Sequence, residues 1–323
     1  MAKRTKAPAK EPVRVSTIEL FFDLVFVFTL TQLTQLVEKA QGPLDLFSAF
    51  LVLILVWWIY AGYAWLTNAT GASGGMRFVL LTAMAGFLVM ALAIPSLFNQ
   101  GGPLFGLAYL FVVLLHLGTF AYYGGRPSWP ALLGLLPING GAAALAIAAG
   151  LAPLTWRWAF LLAGASMFIL STLLRNERGF SVEPEHFAER HGLVILIALG
   201  ESVIDLGTGA GGQALSLANA TAAVLSLGLV AGLWWAYFAG GDSRAEAQLV
   251  AASPAQRSRM ALLGYWYAHL VMIAGIVVVA TGLKRAMAWQ GAAAASAVGL
   301  LVGGVAAYAA GIVLFRRIMG AKP

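Results

Sequence analysis

Runs of about twenty apolar residues recur along this chain, and they restrict it to a bundle of membrane-crossing helices. Only 10% of its 323 residues are charged and 60% are hydrophobic, whereas soluble domains carry about 25% charged residues. A helix needs roughly 20 residues to cross the ~30 Å of bilayer hydrocarbon. In lipid, each backbone N–H and C=O must be satisfied within the protein, which helices achieve locally. Breaks rich in Gly, Pro and Asn, such as residues 42–43, 99–103, 124–127 and 209–212, separate the runs. They predict ten helices, at about 17–38, 44–66, 77–98, 103–123, 129–150, 153–174, 188–209, 214–238, 259–283 and 293–316. The expected fold class is all-α, a polytopic helical membrane protein. Its expected organisation is a basic tail over residues 1–16 followed by one membrane domain over 17–323.

The charges agree with ten crossings. With the N-terminus inside, sixteen of the twenty Lys and Arg fall on the inner side. Only Lys39, Arg157, Lys284 and Arg285 fall outside. Basic residues gather on the cytoplasmic side of membrane proteins, so both termini are expected in the cytoplasm. The net charge of +7 then marks orientation, and no nucleic-acid partner is expected. The absence of cysteine excludes disulfides, thiolate metal sites and cysteine nucleophiles.

The ends of the chain look like two copies of one unit, about 17–125 and 188–317. Trp57-Trp58-Ile-Tyr60 matches Trp234-Trp235-Ala-Tyr237. Arg77-Phe-Val-Leu-Leu81 matches Arg259-Met-Ala-Leu-Leu263, and Leu88-Val-Met90 matches Leu270-Val-Met272. Glu19 then lies opposite Glu189, Thr31 opposite Glu201 and Phe87 opposite His269. Six crossings separate equivalent helices, so the expected repeat is parallel, about an axis along the membrane normal.

Ionisable groups within these helices are costly, at about 2.5–3.5 kcal/mol for a charge at the centre. Two acidic pairs stand out, Glu19 with Asp23 in the first helix and Glu201 with Asp205 in the seventh. Members four residues apart share one helix face. Glu201 and Asp205 have no basic residue within a turn on their own helix, so they need a partner from another helix, a cation or a proton. His116 and His269 lie mid-helix and are candidate partners, His269 being preferred. Glu189, Arg190 and His191 open the seventh helix as a candidate gate or a structural polar group.

Residues 19–27 (Glu-Leu-Phe-Phe-Asp-Leu-Val-Phe-Val) and 189–203 (Glu-Arg-His-Gly-Leu-Val-Ile-Leu-Ile-Ala-Leu-Gly-Glu-Ser-Val) resemble the signature stretches of the bacterial low temperature requirement protein A family. The resemblance implies a bacterial inner-membrane protein linked to growth in the cold, and it implies no particular chemistry. The matching positions are Glu19, Asp23, Glu189, Arg190, His191 and Glu201. Asp205 rests on its place in the helix instead.

These features suggest a proton- or cation-coupled transporter or permease, with a small-molecule substrate and the lipid bilayer as partners. The ion or substrate would be held by Glu201, Asp205, Asp23 and Glu19, with His269 and His116 assisting. The alternatives are a membrane-embedded enzyme or metal-binding protein, and a structural or sensory protein without transport. Enzyme signals are weak. His186 and His191 are five apart rather than the four of a helical zinc pair, and no phosphate-binding Gly-Lys-Ser/Thr element occurs. No catalytic residue or resident metal is assigned, the cofactor is unknown and the oligomeric state is open.

Overall fold

A computed structural model describes residues 14–126, 129–174, 182–211, 216–288 and 292–320. Most of the expected tail, Trp289 and part of the loop before the seventh helix lie outside these residues. All regular structure among the described residues is helical. The helices are α1 (Thr17–Glu38), α2 (Pro43–Thr70), α3 (Gly75–Ala93), α4 (Gly102–Gly124), α5 (Trp129–Leu151) and α6 (Leu154–Leu174). They continue with α7 (Pro184–Ala210), α8 (Leu217–Phe238), α9 (Gly241–Ala251), α10 (Pro254–Met260), α11 (His269–Ala288) and α12 (Ala292–Ile318). A π-helical stretch, Ala261–Ala268, joins α10 to α11. Ten of the resulting helical spans are long and apolar enough to cross a membrane.

Local chemistry sets the ends. Prolines sit in the first turn of α2, α4, α7 and α10, where a missing N–H costs nothing and the fixed φ suits a helix. Gly71 closes α2 with φ 73°, a left-handed conformation that costs other residues steric strain. Ser16 precedes α1. Glu19 reaches back to accept from the Ser16 N–H at 3.0 Å and its hydroxyl at 2.7 Å, so donors at the helix start are not left bare.

Two boundaries differ from expectation, and both matter for the site. Helix α7 starts at Pro184, a turn earlier than the apolar run indicates, and this brings His186 into the helix. The polar segment 241–251 forms α9, which hydropathy alone reads as loop. Gly200 of α7 marks neither a break nor a close helix approach. The helix runs through it and nothing lies within 4 Å of where its Cβ would be.

The most buried spans are α1, α2 and Pro254–Ala288, while α5, α6, α8 and α12 form the rim. Helices α1 and α7 begin at the same end of the bundle, the near end, and lie side by side with α11 against both. In the first part α1 packs on α2 and α3, and α4 packs on α2 and α3. In the last part α7 packs on α8 and α11, and α12 packs on α8 and α11. Backbones meet where α11 crosses α12. A Cβ on Gly275 would lie 2.6 Å from the Tyr308 nitrogen, and small residues permit this approach where lipid supplies no hydrophobic drive between helices. Helices α5 and α6 cover α2. There Trp58 stacks on Phe168 at 4.2 Å and donates its Nε1–H to Asn139 Oδ1 at 3.0 Å.

Candidate functional site

The α1–α7 interface carries polar groups at both ends and an apolar stretch between them. At the near end, Arg190 rises from α7 into the centre of the bundle and is buried. Its Nη2–H donates to Asp23 Oδ1 at 2.9 Å and its Nε–H to the same oxygen at 3.3 Å. One Nη1–H donates to Glu19 Oε1 at 3.2 Å, and Nη1 also meets the Thr67 hydroxyl of α2. The guanidinium lies 5.7 Å from the Phe22 ring centroid and 5.8 Å from that of Tyr60, adding cation–π attraction. Tyr60 donates its hydroxyl to Asp23 Oδ1 at 2.8 Å.

His186 extends this network. Its Nε2 sits 3.2 Å from Glu19, and its Nδ1 lies 3.1 Å from the amide nitrogen of Asn68. The Asn68 amide is oriented by two bonds to Glu183, donating to its carbonyl and accepting from its N–H, both at 3.0 Å. The amide nitrogen therefore donates to Nδ1, and the imidazole proton resides on Nε2, facing Glu19. Glu19 gathers donors from Ser16, His186 and Arg190. Asp23 is less evenly served, because Oδ1 takes three donors while buried Oδ2 has no hydrogen-bond partner among the described residues.

Above this network the facing residues are apolar, including Phe26, Val27 and Leu30 of α1 and Val194, Ile195 and Ala198 of α7. Polar groups return at the far end. The Thr31 hydroxyl donates to Glu201 Oε1 at 2.6 Å. Asp205, one turn on, is 3% exposed, and its Oδ2 has no partner among the described residues. The charged groups acting on it are Glu201, Lys284 and Glu38, and the Thr208 hydroxyl lies beside it. Lys284 of α11 pairs with Glu38 at the end of α1, at 2.7 Å. Arg285 donates to the Glu38 carbonyl at 2.5 Å and to the Ser296 hydroxyl at 3.3 Å. A Cβ on Gly209 would lie 2.6 Å from the Lys284 carbonyl. The α7 and α11 backbones therefore touch one turn beyond Asp205.

The remaining expected residues lie elsewhere. Glu189 faces outward, accepting from the Val15 N–H at 3.1 Å with Arg14 at 3.9 Å. Arg14 thus meets Glu189, and it is Arg190 that serves the first acidic pair. His269 places Nε2 2.9 Å from the Tyr237 hydroxyl and Nδ1 3.0 Å from the Gly264 carbonyl, and it touches no carboxylate among the described residues. Trp57 donates its Nε1–H to the Trp266 carbonyl over 2.9 Å, an oxygen that also accepts from the His269 N–H at the end of the π-helical stretch. His191 lies among Phe187, Tyr265 and His269 with Nδ1 2.8 Å from the Phe187 carbonyl. His116 is buried against Gly62 and Tyr63, far along the sequence from both acidic pairs and paired with neither. Among the described residues no three His, Asp or Glu side chains are placed to hold a metal ion. A cavity of about 540 Å³ opens at the near end, rimmed by Glu185, Glu189, Asp242 and Glu246 and walled by Tyr237 and Tyr265.

Sequence reasoning missed His186, Asn68, Tyr60, Thr67, Glu38 and Lys284. His186 was signalled by Pro184, a helix-start residue two positions before it. The others contribute through tertiary placement, with no local signature.

The family described as bacterial low temperature requirement A protein has a model that matches residues 14–323. An uncharacterized protein of Rhizobium meliloti (strain 1021) is 26% identical over 294 residues, covering 84% of this chain and 69% of the relative. No solved structure matches the chain. The family match includes both acidic pairs, Arg190 and every membrane-spanning helix, and so this multi-pass membrane protein belongs to the bacterial low temperature requirement A (LtrA) family.

Proposed function

We propose that this protein is a proton- or cation-coupled transporter or permease of the bacterial inner membrane, with Glu201 and Asp205 as its ion-binding groups. One observation carries the reading. Asp205 buries a carboxylate oxygen without a partner among the described residues, beside Glu201 and near the Lys284 ammonium, which is paired with Glu38. Intramembrane carboxylates are expensive and mark ion and proton pathways. Asp23 also buries an oxygen without a partner, but its other oxygen is bonded directly to the Arg190 guanidinium, whereas Asp205 makes no direct ion pair among the described residues. Glu19 and Asp23 then hold α1 to α7 through Arg190, and the acid-rimmed cavity at the near end is the cytoplasmic mouth for a small-molecule substrate. Both termini are cytoplasmic in this reading, with residues 1–16 a tail and 17–323 the membrane domain.

The same reading includes a parallel duplication of about 17–125 and 188–317. Its support is the recurrence of one packing pattern in α1–α4 and in α7, α8, α11 and α12. The Thr31–Glu201 contact adds to it, because an axis along the membrane normal between α1 and α7 brings equivalent positions face to face. The copies have diverged at their tryptophans. Trp58 is buried against α5 and α6 and Trp57 against α1 and the π-helical stretch, whereas Trp234 and Trp235 are exposed.

Purified protein in liposomes carrying an internal pH indicator tests the function. A substrate panel is expected to yield at least one compound whose addition moves protons or alkali cations. Folded Glu201→Gln and Asp205→Asn proteins should lose that movement. Variants that support the same flux as the parent protein would remove the coupling role.

A further inference from the structure

The far cluster contains its own cation. Glu38 and Thr31 face it from α1, Glu201, Asp205 and Thr208 from α7, and Lys284 and Arg285 from α11. Arg285 is engaged by the Glu38 carbonyl and the Ser296 hydroxyl, leaving Lys284 to serve the carboxylates. Contact of the α7 and α11 backbones at Gly209 sets the Lys284 backbone one turn from Asp205, with the ammonium anchored on Glu38. Alkali cations need several oxygens converging on one point, and a proton needs only one. An ammonium is a compact point charge on a flexible stem, similar in size and charge to a potassium ion.

We propose that the Lys284 ammonium is a tethered cation that fills this acidic cluster and restricts it to protons. Lys284 is thus a specificity-determining residue, and the coupling ion is the proton. A free sodium or potassium ion entering the cluster would have to displace a charge that cannot leave, because Lys284 is covalently part of α11. A proton meets no such competition at Asp205 Oδ2, which lacks a partner among the described residues. Removing the ammonium, while keeping the side chain long and polar, leaves Glu38, Glu201 and Asp205 beside a space that an alkali ion can enter.

The inference rests on the transport reading only in taking Glu201 and Asp205 as the ion site, and its test requires no transport. The thermal midpoint of purified protein in detergent is followed at slightly alkaline pH in sodium, potassium or choline chloride of equal ionic strength. Ligands that bind only the folded state raise its stability with concentration. The parent protein and Lys284→Arg should give the same midpoint in all three salts. Lys284→Gln should show a saturable rise in sodium or potassium over choline, and adding Asp205→Asn should abolish it. A saturable alkali-cation response in the parent protein would overturn the proposal. So would Lys284→Gln behaving alike in all three salts, or failing to fold in any of them. Alkali-cation binding by Lys284→Gln without any flux in liposomes would keep this inference and remove the transport reading. Proton-coupled flux with no cation response in Lys284→Gln would do the reverse.

Discussion

At the near end of the α1–α7 interface, Glu19 and Asp23 share a guanidinium that is as buried as they are. At the far end, Glu201 and Asp205 lie near an ammonium that is partly exposed and bonded directly to Glu38 alone among the described residues. Both ends hold acidic groups within a membrane protein, and they resolve the cost differently. Arg190 offers a rigid fork of donors, so it fixes α1, α2 and α7 in one geometry. Lys284 offers a charge on a flexible stem. Asp23 and Asp205 each bury one oxygen without a partner among the described residues, but only Asp23 is paired directly with a buried cation. In the proposed reading the near end is a clamp and the far end a place where charge can be exchanged.

Several substitutions can break or sharpen this contrast, and the largest effect belongs to Arg190. Its replacement by Met leaves Glu19 and Asp23 buried without their cation, a loss of about 3–5 kcal/mol, visible as a collapse of the unfolding midpoint in detergent. Next come the two aspartates. Asp23→Asn gives up a charged acceptor that three donors share and should cost about 2–3 kcal/mol. Asp205→Asn removes a charge with little compensation and should leave the midpoint unchanged or raised. Equal losses in the two proteins would erase the distinction between clamp and exchange site.

Gly209→Ala tests the seating of α7 on α11. Its Cβ would press on the Lys284 carbonyl, and overpacking of this kind costs about 1–3 kcal/mol. The midpoint should fall, and a wild-type midpoint would show that the far end yields. Tyr60→Phe deletes one donor to Asp23 while Arg190 stays, for about 1–2 kcal/mol. Arg14→Ala should be the mildest change, because its contact with Glu189 is solvent-exposed and such pairs contribute about 0–1 kcal/mol. A large loss there would mean that the near end depends on the tail.

The legible parts of the site were those encoded in one segment. Glu19 and Asp23 stood out because charge is rare in an apolar run, and helical spacing placed them on one face. The same reasoning found Glu201 and Asp205. Which basic group serves the first pair was not legible within that helix, and the structure gives that role to Arg190, 167 residues from Asp23. His269 was expected to meet an acidic helix and instead meets Tyr237. Both concern which helix faces which, and periodicity within a single helix carries no information about that.

The sequence by itself determined that this chain forms ten helices long and apolar enough to cross a membrane, because run length and hydrocarbon thickness are local quantities. It also located the costly carboxylates. Only the tertiary structure decided that one pair is neutralised by a buried arginine while the other adjoins a lysine already held by Glu38. The physical reason is that the cost of burying a charge depends on where it sits along its own helix, whereas its recovery depends on groups brought in by other helices.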